Sequence, residues 1–68
     1  MNREDAYCYI ENNFGIARSV MITYFKYLDD LISSVNIDII DAPNYLITQF
    51  GLNEMLATEI VTTWAQCT

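Results

Sequence analysis

The sequence predicts an all-α domain, a compact four-helix arrangement built from two related helix–turn–helix units. Three observations carry this. A continuous apolar stripe at i, i+3/i+4 spacing runs from Ile16 to Val35, which is helical periodicity. The only two glycines, Gly15 and Gly51, each follow an amphipathic stretch, where a left-handed helix stop is expected. The residues before and after them also repeat. Asp5, Ala6, Tyr9, Phe14 and Gly15 fall on Asp41, Ala42, Tyr45, Phe50 and Gly51 at a constant offset of 36 (51 − 15). Ile10/Leu46, Asn13/Gln49, Ile16/Leu52 and Val20/Leu56 are close substitutes at the same offset. Each such unit has an apolar face that it cannot bury alone, so the two are expected to pack on one another.

The first helix is expected over Arg3–Asn13. Asn2 is suited to cap it, and Glu4 and Asp5 lie in the first turn, where the helix dipole favours carboxylates. The second is expected over Ala17–Ser34, with Met21 and Phe25 widening its stripe to nearly half the circumference and Ile22 lying beyond it. Residues 33–38 break the pattern and read as a connection, in which the β-branched Ile37, Ile39 and Ile40 permit a short extended stretch. Asp41 is suited to cap a third helix over Ala42–Phe50, with Pro43 in its first turn. A fourth is expected over Asn53–Gln66, its apolar face carrying Leu52, Leu56, Ile60 and Trp64. All 68 residues form a single domain, with halves at about 3–35 and 39–67.

A chain this short buries only about 60% of its unfolded surface, yet 53% of its residues are apolar and the mean hydropathy is +0.17. Met21, Ile22 and Phe25 on the second helix therefore point to cover by another chain, in a homodimer or with a partner protein. On this reading, an aspartate at Ile22 or Phe25 breaks association and leaves the helices intact.

Charge narrows the functional classes. The net charge is −6, from nine acids against three bases, with no histidine. Residues 27–68 hold Asp29, Asp30, Asp38, Asp41, Glu54 and Glu59 and neither lysine nor arginine. Such a half repels phosphate backbones and anionic lipid and attracts basic protein surfaces. Asp29 and Asp30 lie near the C-terminal end of the second helix, where the dipole disfavours negative charge. Placing charge where it destabilises hints at binding. Asp38 adds to them, whereas capping accounts for Asp41.

Catalysis is disfavoured. Without histidine the usual general base and metal ligand are missing, and no phosphate-binding or nucleophile-elbow motif occurs. Asp29 and Asp30, adjacent on a helix, diverge. A calcium loop starting at Asp30 fails, because Ile32 and Val35 stand where an acid and a glycine are required. Cys8 and Cys67 without histidine make no zinc site, so neither cofactor nor metal is expected. The F-G-[IL] turns invite a helix-turn-helix DNA reader, but the helix after Gly51 carries Glu54 and Glu59 and no base. The first unit offers only Arg18 and Lys26. No signal-peptide pattern opens the sequence and no apolar run reaches the ~18 residues of a membrane span. A cytoplasmic protein with reduced thiols is expected.

The expected function is a small acidic protein-interaction module or regulator, expected to be a homodimer, that uses Met21, Ile22, Phe25, Asp29, Asp30 and Asp38 to bind another protein. The alternative is an acidic inhibitor that mimics nucleic-acid phosphates, of the kind mobile elements use against nucleic-acid-handling enzymes; this is an analogy of composition only. A DNA-binding regulator using the second helix is the weakest of the three.

Overall fold

The computed structural model describes residues 1–67, with four α-helices and one short 3-10 turn. The helices are α1 (Arg3–Phe14), α2 (Arg18–Val35), α3 (Ala42–Phe50) and α4 (Glu54–Ala65), with the turn at Ile39–Asp41 leading directly into α3. No strand forms among the described residues.

Local chemistry explains most of the boundaries. Asn2 is extended, and its Oδ1 accepts the Asp5 N–H at 2.8 Å, satisfying one of the free donors at the start of α1. Asn53 repeats the device on α4, accepting the Leu56 N–H at 2.8 Å. α1 stops at Gly15 (φ 70°), whose N–H donates to the Glu11 carbonyl, and α3 stops at Gly51 (φ 69°), whose N–H donates to Ile47. α2 ends instead at Asn36 (φ 58°), the side-chain-bearing type that tolerates this region best.

The start of α3 corrects one expectation. Asp41 has helical dihedrals, and its side chain makes no capping bond. The chain is already turning at Ile39, and the Ala42 N–H bonds to the Ile39 carbonyl. Asp41 therefore lies inside a continuing helical turn and lacks the extended backbone that a side-chain cap needs.

The core draws on every helix. Ala6 and Ile10 of α1, Met21, Phe25 and Leu28 of α2, Ala42 and Leu46 of α3, and Ala57 and Ile60 of α4 are fully buried. The alanines let helix axes approach closely, while the larger residues fill the space between them. α1 packs on α2 and α3 on α4, and α4 also touches both α1 and α2. The Tyr24 and Tyr27 rings of α2 meet Phe50 at the end of α3, at 4.7 and 5.3 Å between centroids. The broad stripe of α2 thus faces three neighbours within its own chain. Met21 and Phe25 are closed off there, which corrects the expectation that another chain covers them. The accessible surface is 4220 Å², against about 4,400 Å² for a monomer of this mass.

Positions 36 apart match in several respects. α1 spans 3–14, and the turn plus α3 span 39–50. α2 and α4 begin at Arg18 and Glu54. Ala6 and Ala42 are fully buried, as are Ile10 and Leu46. Tyr9 and Tyr45 are both half-exposed.

No heavy atom lies within 4 Å of a Cβ built on Gly15 or Gly51. The strain of a side chain there is therefore purely backbone. Gly51→Val is expected to destabilise by roughly 1 kcal/mol or more, read as a lower urea midpoint. An unchanged midpoint would refute the helix-stop role.

Candidate functional site

The six residues that the sequence nominates separate into three groups. Met21 and Phe25 are core. The Phe25 ring packs at 5.1 Å from Tyr7 in a tilted pair, and the Arg3 guanidinium lies 5.4 Å from its centroid. Neither residue has surface to offer a partner.

Asp29 is a tie between three helices. Arg3 Nη1 and Nη2 donate to its Oδ2 and Oδ1 at 2.8 and 2.6 Å, a bidentate pair from α1. Trp64 Nε1 of α4 donates to Oδ1 at 3.0 Å. The Arg3 hydrogen bond, helped by Trp64, holds the Asp29 carboxyl below its ordinary range despite the opposing effect of partial burial. The same pair raises the Arg3 guanidinium further. The unfavourable dipole position of Asp29 is thus explained by structure, not by a partner. Two sequence signals could have exposed this tie. Arg3 is a cation in a first helical turn, where the dipole opposes it. Trp64 is the sole indole, whose N–H needs an acceptor when half-buried.

Ile22, Asp30 and Asp38 are exposed. Ile22 is 44% exposed, a single aliphatic on an outward face shared with Ser19, Thr23, Lys26, Asp30 and Ser33. A polar face with one isoleucine is ordinary helix surface.

The cations are also mostly committed. Arg18 pairs with Glu4, and its guanidinium sits 5.5 Å from the Tyr7 centroid. Arg3 and Arg18 therefore lie over the two members of the Tyr7–Phe25 ring pair. Lys26 is the one Lys or Arg without an acidic partner among the described residues. Helix α2 accordingly has less free positive charge for a phosphate backbone than its sequence suggests.

The largest exposed aliphatics lie in the second half. Ile40 is 83%, Met55 67% and Val35 56% exposed, with Ile39 at 49%. One helical turn beyond Ile40, Asn44, Tyr45 and Thr48 line a shallow, open depression on α3. Asp38 and Asp41 bracket the isoleucines in sequence, and both are exposed.

Among the described residues, no three His, Cys, Asp or Glu side chains gather as metal ligands, and no helix is long and apolar enough to cross a membrane. Both cysteines are free; Cys8 is exposed, and Cys67 donates its thiol to the Thr63 carbonyl at 3.3 Å. Comparison of the chain with protein-family models, with curated proteins and with solved structures returns no match.

Proposed function

We propose that this chain is a non-enzymatic protein-interaction module that docks on a basic surface of another protein. The observation that carries this reading is how the charges are used. Two of the three cations are paired within the fold, leaving Lys26 against Asp5, Glu11, Asp30, Asp38, Asp41, Glu54 and Glu59. The whole net charge of −6 is thus carried by groups outside the two internal pairs. Such a surface steers basic partners towards it and turns phosphates away.

The exposed large apolar residues of α2 are Val20, Ile22 and Val35. At helical spacing Ile22 lies across the helix from the other two, so they form no single face for a homodimer, and like charge on each copy opposes one. The proposed partner is therefore a different protein. The glycine helix stops and core positions that match at an offset of 36 support reading the scaffold as two related helix–turn–helix units. A cytoplasmic location belongs to the same proposal, and two free thiols suit a reducing compartment.

The free carboxylates also favour a second reading, an acidic inhibitor seated in a nucleic-acid-binding groove. Competition separates the two. Immobilised protein is exposed to native lysate at low salt, with and without excess duplex DNA. A bound protein that DNA does not displace is the expected result. Displacement by DNA would favour the inhibitor. No bound protein, or a gel shift of DNA by the chain alone, would overturn both.

A further inference from the structure

We propose that the outer face of the 3-10 turn and α3, from Ile39 to Thr48, is the docking surface for a basic amphipathic segment of the partner protein. This rests on the function proposed above and locates it. A comparison of the two halves of the chain draws attention to this face. At the start of α1, Arg3 and Glu4 are each tied to α2, through Asp29 and Arg18. Thirty-six positions later the same places hold Ile39 and Ile40, which stand 49% and 83% exposed.

Helical register extends the surface. Ile40, Asn44 and Thr48 follow one another at i, i+4, i+8 and so share a stripe, with Tyr45 beside them. Tyr45 is 39% exposed and, with Asn44 and Thr48, forms the shallow depression on α3. An isoleucine knob next to an aromatic-lined depression suits apolar side chains presented by a partner helix.

Charge complementarity selects the occupant. Asp38 and Asp41 flank the isoleucines, and residues 27–68 contain no cation. A second copy of this chain would bring further carboxylates to the same face. A segment with lysines or arginines around an apolar stripe would satisfy both the carboxylates and the isoleucines. Asp41 is free to act this way because its side chain caps no helix.

The test titrates isotope-labelled protein with a synthetic helical peptide of leucines and lysines at i, i+3/i+4 spacing, followed by amide chemical shifts. Shift changes are expected to concentrate on residues 38–48. Ile40→Ser is expected to weaken binding about tenfold. Asp38→Asn with Asp41→Asn is expected to weaken it and reduce its salt dependence. Ile22→Ser, on the side of α2 away from Phe50, should leave affinity unchanged. Because Ile40 is so exposed, its variant should keep the wild-type helical signal, which is checked in parallel. Binding that maps elsewhere, or that responds equally to Ile22→Ser, would overturn this site and leave the proposed function standing. No binding by either the wild type or the variants would overturn both.

Discussion

Phe25→Ala is expected to lower the unfolding free energy by about 3–5 kcal/mol, the usual cost of emptying a buried aromatic site. A domain of this length has a total stability on the order of 3–10 kcal/mol, so much of the population should unfold. Phe25 is fully buried, and its ring supports Tyr7 on one helix and the Arg3 guanidinium above it. Removing it deprives α1 of a buried aromatic contact on α2 and leaves a cavity between the two helices. Phe25→Asp should be worse, because it also buries an unpaired charge. Ile22→Asp, three residues away but outward-facing, should stay within about 0.5 kcal/mol of wild type. Far-UV circular dichroism in a urea series reads all three. A Phe25→Ala protein with the wild-type midpoint would refute the core placement.

That contrast between neighbours on one helix marks where sequence reasoning stops. The sequence led to treating Ile22 and Phe25 alike, as apolar positions too numerous for one chain to cover. Periodicity gives the angle of each residue around its own helix. It does not give how many other helices arrive at that angle. α2 meets α1, α4 and the end of α3, so Phe25 lies inside and Ile22 outside. Signals confined to a few residues were read correctly. Asn2 and the two glycines act within one turn, and their bonds follow from the residue type. Asp41 looked equally local and was not, because the preceding 3-10 turn gives it helical dihedrals in place of the extended ones of a cap. The β-branched Ile39 and Ile40 permitted an extended stretch, whereas they form a 3-10 turn that runs straight into α3.

Asp29 is the second residue whose loss should be costly, and it was nominated for a different role. Its partners are 26 positions before it and 35 after it, a separation that no local pattern reports. Asp29→Ala is expected to destabilise by about 1–2 kcal/mol at neutral pH, the range for charge-assisted bonds after discounting for solvent screening. The discount is needed because the Arg3 and Asp29 side chains are 41% and 42% exposed. Some of the loss falls on Trp64, whose indole N–H would keep no partner on α2. The sign of the pH effect follows from the depressed carboxyl. Unfolded aspartate titrates near about 3.9. The stabilisation is therefore complete above that value and is lost as pH falls below it, through the lower value of the folded state. The stability gap between wild type and Asp29→Ala should be widest near neutrality and narrow below about pH 4. A gap that stayed constant down to strong acid would mean that the ion pair contributes nothing and only the packing of Trp64 matters. Arg3→Lys separates the two further. It keeps a charge near Asp29 but not the two-pronged bond or the flat guanidinium over Phe25, so it should lose a substantial part of the same energy. If Arg3→Lys proved neutral, a single point charge would suffice, and the bidentate geometry would not be what joins α1 to α2 and α4.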